Sequence, residues 1–264
     1  MKTIEDQLSD LRSIDIDIRR SIEAELLYVK EMDRPINVHV DELGFAAYFM
    51  GDSPNFLTTL HNGSIVPRGI NLRQDSVERH NGEDNHTFEL YFPLFLELEG
   101  CFVTSHVSRY VVDLNRRKHD AIFKYGSGDI NLVRAEEHSI AYAKELYDAF
   151  YSYTIPLLGR SNILFSGHSM EDLDKRPDIC IVSKENFEGL PLKSIFENEF
   201  RDVRINDPFL YEEGYFKCFA ENFLQGDIIE IEINKKLYLE QSHKKHDFSD
   251  VSAKISRSVL GYLG

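Results

Sequence analysis

Cysteine is scarce in this 264-residue chain, and the three present, Cys101, Cys180 and Cys218, are widely spaced and form no CxxC pair. An odd, scattered set argues against a disulfide framework and fits a reducing compartment, so the cytoplasm is the expected address. Long apolar runs are missing too. None approaches the length needed to cross a bilayer, and Met1-Lys-Thr-Ile-Glu-Asp6 is charged where a secretory signal would be apolar. Basic residues are in deficit: 30 Lys and Arg face 45 Asp and Glu, a formal charge of −15. Nucleic acids and anionic membranes need basic patches that displace counterions, so neither is expected as a partner. An anionic substrate would need a locally basic site against that background. Internal repeats, low-complexity tracts, long linkers and an HExxH motif are all absent.

What remains is 42% hydrophobic and 12% aromatic, enough for a substantial core. Residues 1–34 read as a helical N-terminal arm, and residues 35–264 as a single α/β domain. In the arm Ile4, Leu8, Leu11 and then Ile22, Leu26, Val29 recur at helical spacing, while Ile14, Ile16 and Ile18 alternate as a strand would. The arm is assigned packing or oligomer contact and no chemistry.

The chain is organised around residues 161–170. Ile163-Leu-Phe165, bounded by Ser161-Asn162 and Gly167, has the length and punctuation of a buried strand, and it stops on His168. A histidine at the mouth of a strand in an open α/β sheet faces the crevice where ligands bind; a hydrogen-bonded structural histidine is the other reading. Residues 56–60 form a second such strand, ending on His61 and Asn62-Gly63. Residues 36–40 alternate, with His39 on the polar side. Residues 73–86 are polar and read as a solvated loop whose acids, Glu83 and Asp84, precede a helix starting at Thr87.

Residues 101–114 read as a strand carrying many hydrogen-bonding groups: Arg109, Asp113, Asn115 and Arg116. An arginine fork suits a carboxylate and an asparagine adds an orienting amide, although a surface salt-bridge ladder would look the same. Residues 136–153 read as an amphipathic helix with Ile140, Ala143, Leu146, Tyr147 and Phe150 on its core face and His138 at the surface. Residues 179–182 read as a strand, 185–200 as an interrupted helix and 252–263 as a terminal helix. Residues 227–234 alternate cleanly, Ile229, Ile231 and Ile233 against Glu230, Glu232 and Asn234, which fits either an exposed edge or a cleft wall.

Two histidines at strand ends with one carboxylate make the ligand set of a catalytic zinc, which keeps a position open for water. Such a site needs a further unbound glutamate as general base. Five motifs in order, from Leu60-His-Asn-Gly63 with Pro67, through Glu83-Asp84-Asn-His-Thr, Ser108-Arg-Tyr-Val-Val-Asp-Leu-Asn-Arg116 and Gly167-His-Ser-Met170, to Ile231-Glu-Ile-Asn-Lys-Lys-Leu-Tyr238, resemble the N-formylglutamate amidohydrolase family. Pro177-Asp178-Ile179 adds to the likeness, which covers roughly residues 56–240.

The resemblance implies an α/β fold with a mixed, mostly parallel sheet flanked by helices, like that of the zinc carboxypeptidases and aspartoacylases. It implies hydrolysis of the amide of an N-acyl amino acid, such as N-formyl-L-glutamate, or of a short peptide. It implies one zinc ion on His61, His168 and either Glu83 or Asp84, with Asp84 favoured. It makes Glu232 the general base and Arg109, Asn115 and Arg116 the substrate-carboxylate set, with Asp113 and Ser169 orienting these groups. Two alternatives stand beside it: a carboxypeptidase-like or aspartoacylase-like hydrolase on another carboxylate, and a binding protein that has lost catalysis on the same fold.

Overall fold

The computed structural model describes residues 14–72, 84–123, 137–184, 191–240 and 243–264. Glu83, with the rest of residues 73–83, lies outside them, as do Ile4, Leu8, Leu11 and residues 185–190.

Eight strands form one mixed sheet: β1 (Asn37–Val40), β2 (Phe45–Phe49), β3 (Asn55–Thr59), β4 (Cys101–Ser105), β5 (Ile163–Met170), β6 (Ile179–Val182), β7 (Val203–Ile205) and β8 (Asp227–Asn234), in the spatial order β1-β2-β4-β3-β5-β8-β6-β7. The four central strands β4, β3, β5 and β8 run parallel, with antiparallel pairs on either side. The expected mixed, mostly parallel sheet is therefore present, and the carboxyl ends of four neighbouring strands open at the same rim.

Helices cover both faces. On one, α1 (Ile16–Glu31) and α2 (Thr87–Leu98) meet through Tyr28 and Phe88, and α2 carries the terminal helix, Phe248–Leu263, through a hydrogen bond from Ser252 Oγ to the Leu90 carbonyl. On the other, the long helix Glu137–Leu158 sets Phe150 and Tyr151 against Phe216 of the short helix Tyr215–Ala220.

Helix α1 resolves the ambiguity of the isoleucines at 14, 16 and 18. The Asp15 carboxylate accepts from the Asp17 and Ile18 amides and caps the helix, which wins over the short alternation. Ile18, Ile22, Leu26 and Val29 are then buried in the core. His39 lies half-buried, stacked on Tyr153.

Two sequence expectations are corrected, and one open alternative is decided. The strand expected over residues 101–114 ends at Ser105. Beyond it the backbone closes turns, with the Val111 amide on the Ser108 carbonyl and the Asn115 amide on Asp113 Oδ1, so short polar side chains compete with ladder pairing. Strand β5 does not stop at the histidine but continues to Met170, with His168 paired in register to Glu232 of β8. Strand β8 is no exposed edge: it lies between β5 and β6, and its polar side forms a cleft wall.

Two glycines shape this rim. A Cβ at Gly167 would lie 2.5 Å from the Tyr91 ring of α2, so glycine lets that ring press on β5. The pleat then sends its neighbours Ser166 and His168 to the opposite face. A Cβ at Gly63 would meet the His106 backbone at 2.1 Å, and this close approach brings the loops after β3 and β4 together. Gly167→Ala is expected to cost about 1–3 kcal/mol through overpacking, measured as a lower urea midpoint at unchanged slope.

Candidate metal centre and substrate cleft

His61 lies just past β3, His168 near the end of β5, and Asp84 just before α2, where its amide donates to the His61 carbonyl at 3.0 Å. Separate in sequence, they converge. The two rings sit 4.9 Å apart between centroids, and one ligand atom from each of the three residues lies within 4.8 Å of the others. Asp84 Oδ2 is the shared point, 3.0 Å from His168 Nδ1 and 3.4 Å from His61 Nδ1. Ser169 Oγ donates to the other Asp84 oxygen at 3.1 Å. All three residues are at most 2% exposed.

The far ring nitrogens are held from outside. His61 Nε2 meets Asp113 Oδ1 at 2.7 Å, and Arg109 Nη2 donates to Asp113 Oδ2 at 2.6 Å. His168 Nε2 meets Ser166 Oγ at 3.1 Å and Glu230 Oε2 at 3.6 Å, while Lys217 Nζ donates to Glu230 Oε1 at 2.6 Å. Each imidazole therefore has a carboxylate behind it, and each carboxylate has a buried or half-buried cation.

A metal fits this arrangement on one observation. His61 Nδ1 is buried, has no hydrogen-bond partner, and shares its space with Asp84 Oδ2 and His168 Nδ1. A buried polar atom left unmatched is costly, and a divalent ion would satisfy it with the donor set zinc takes. His61, Asp84 and His168 could hold that ion.

The charges follow from burial and neighbours. Burial pushes Asp84 up, but the hydrogen bond with His168 and the close approach of His61 outweigh it and hold the carboxyl well below the usual range. Burial likewise opposes ionisation of Asp113, yet Arg109 and His61 keep it well below. Glu230 is lowered against its burial by Lys217 and His168. Glu232 goes the other way: burial, reinforced by the charges of Glu230 and Asp84 and only partly opposed by His168, pushes it up to about 8. Its Oε2 is buried with no hydrogen-bond partner.

A cavity of ≈540 Å³ opens here, and His61, Asp84, His168, Glu232, Arg109, Asn115 and Arg116 all line it. Every site residue expected from sequence within the described residues is thus at one place. Asn115 and Arg116 are braced: Asn115 Oδ1 accepts from the Phe216 amide at 3.0 Å, and Arg116 Nη1 donates to the Glu213 carbonyl at 3.1 Å.

The sequence profile of the N-formylglutamate amidohydrolase family matches residues 53–239. The chain belongs to the N-formylglutamate amidohydrolase family. Membership makes it a hydrolase by family. Among solved structures it is similar to an N-formylglutamate amidohydrolase from Ralstonia eutropha, at 17% identity over 84% of this chain and 96% of that one, with a TM-score of 0.61. A gene product from Agrobacterium tumefaciens gives 16% identity, 88% and 96% coverage and a TM-score of 0.60. Carboxypeptidase A from Helicoverpa armigera shares the fold at 9% identity over 93% of this chain and 71% of that one, with a TM-score of 0.54. No curated protein matches the chain. Among the described residues no helix is long and apolar enough to cross a membrane.

Sequence reasoning missed three parts of this site. The Lys217–Glu230 pair is one: a lysine inside the apolar run Tyr215-Phe-Lys-Cys-Phe-Ala220 was the available signal. Asn62 is another. Its Oδ1 accepts from the Phe88 amide at 2.9 Å and its Nδ2 donates to Glu25 Oε1 at 3.2 Å, tying the His61 loop to α2 and α1. Arg176, in the loop after β5, is the third.

Lys217→Met would strand the Glu230 charge and is expected to cost about 3–5 kcal/mol near neutral pH by urea denaturation. Because the folded-state Glu230 is depressed, its contribution is complete above the unfolded carboxyl value and fades as pH falls through the folded one. The gap between variant and wild type should therefore narrow below about pH 4.

Proposed function

We propose that the chain is a zinc-dependent hydrolase that cleaves the amide of an N-acyl amino acid such as N-formyl-L-glutamate, releasing the amino acid and formate or another small acid. The observation that carries this reading is the buried convergence of His61 Nδ1, Asp84 Oδ2 and His168 Nδ1, with the first of these unmatched. Family membership supplies the reaction class. When bound, the ion would supply a water acidified toward pKa ~7 and polarise the scissile carbonyl.

The protein's own groups do the rest. Glu232 receives the proton of the attacking water and returns it to the departing nitrogen, so that water is divided between the acid and the amine. Its elevated affinity for a proton suits the second half of that shuttle, and His168, together with the ion when bound, would favour the carboxylate needed for the first. Asn115 and Arg116, braced by the 213–216 backbone, orient the substrate's α-carboxylate. Arg109 adds positive charge to the same wall while holding Asp113 against His61. Asp113 and Ser169 fix the ligand rotamers, and such outer groups change metal affinity about 10–100-fold.

The same arginine wall would serve a carboxypeptidase-like or aspartoacylase-like substrate, and a panel of N-acyl amino acids and short peptides separates these. A protein reduced to binding would have lost a ligand or the base, whereas His61, Asp84, His168 and Glu232 are all present. Scarce cysteine supports a cytoplasmic address. Glu232→Gln is expected to lower kcat by about 10²–10⁴-fold while zinc, measured by mass spectrometry of the desalted protein, stays near one per chain. Full activity in a zinc-depleted, chelator-treated protein would sink the reading.

A further inference from the structure

Three arginines line the cleft: Arg109, Arg116 and Arg176. Their situations differ. Arg109 is bonded to Asp113 at 2.6 Å, and Arg116 Nε lies 3.9 Å from the same carboxylate. Arg176 makes no ion pair among the described residues, although the cleft also holds Glu171 and Glu213. Its guanidinium stacks on the Phe209 ring, 5.3 Å from the centroid, and Nη1 makes one long hydrogen bond, 3.5 Å, to the Glu171 carbonyl. In a chain of 45 acids against 30 Lys and Arg, an arginine in a cleft without a carboxylate partner stands out.

Its place in the fold is also distinct. Arg109, Asn115 and Arg116 follow β4, whereas Arg176 lies between β5 and β6. In the sheet the order is β4-β3-β5-β8-β6, so β3 and β5, which carry His61 and His168, stand between these two sources. Residues 209–214 link them, offering Phe209 to Arg176 at one end and the Glu213 carbonyl to Arg116 at the other. Stacking on an aromatic ring holds the planar fork in place while leaving its N–H edge for a ligand.

We infer that Arg176 is the specificity-determining residue of the cleft: it receives a second carboxylate, one carried by the substrate beyond the α-carboxylate held at Asn115 and Arg116. This rests on the hydrolase reading above for the position of the α-carboxylate. A neutral side chain in that place would leave the guanidinium desolvated and unpaired, which is how a built polar site rejects an isostere.

The test compares N-formylglutamate with N-formylglutamine, which differ only in that second carboxylate. Zinc-loaded wild type should favour the acid by about 10–100-fold in kcat/KM, the worth of one charge-assisted contact. Arg176→Gln should bring the ratio to within about 3-fold, mainly through KM, and Arg176→Lys, which keeps the charge without the fork, should retain part of it. Calorimetric titration of both compounds into zinc-loaded Glu232→Gln protein, with and without Arg176→Gln, reads the same preference without turnover. A preference that survives Arg176→Gln, or wild type without one, overturns the inference. Hydrolysis lacking any Arg176-dependent preference leaves the hydrolase reading standing and this one fallen. An Arg176-dependent binding preference in a protein that cleaves no N-formyl amino acid does the opposite, supporting the role of Arg176 and ending the hydrolase reading.

Discussion

The site depends on one oxygen. Asp84 Oδ2 lies 3.0 Å from His168 Nδ1 and 3.4 Å from His61 Nδ1, and without that carboxylate two imidazoles 4.9 Å apart would have nothing between them. A buried anion is tolerable only when its partners compensate its lost hydration. Here the compensation comes from two rings, the Ser169 hydroxyl and an electrostatic balance extended outward by Asp113 with Arg109 and by Glu230 with Lys217. Much of the polar interior at this rim exists to keep one charge in one place.

The fold makes this arrangement possible because four parallel strands end together. Loops after β3 and β4, the last turns of β5 and the polar side of β8 are brought to one crevice by sheet order alone. The backbone carries the coarse positioning, and the side-chain network refines it. That division explains why the general-base candidate can remain unpaired: Glu232 is placed by the ladder register with His168, and no ion pair is needed to hold it.

Much of this is legible in the sequence, for identifiable reasons. Strong period-two alternation in residues 227–234 and a bounded apolar run at Ile163-Leu-Phe165 announce strands whatever their surroundings, and Glu232 and His168 come with them. The 106–116 loop misleads because its valines imitate a strand, while its turns are set by Ser108 and Asp113 bonding to nearby amides. Lys217 and Arg176 are illegible because their meaning is relational. A lysine in an apolar run becomes informative only once Glu230 is found opposite it, and an arginine beside a proline only once Phe209 lies beneath it.

The asparagine beside His61 has a consequence for descent. Its amide joins Glu25, in a helix that precedes the family-matched segment, to the first turn of α2. If either drifts, Glu25 keeps the Tyr48 hydroxyl on Oε2 but loses the donor on Oε1, and Asn62 keeps the Phe88 amide on Oδ1 but loses the acceptor for Nδ2. Lineages within the family should therefore gain or lose this acid and this amide together, and the ancestry of the leading helix should be written in the residue that follows the histidine.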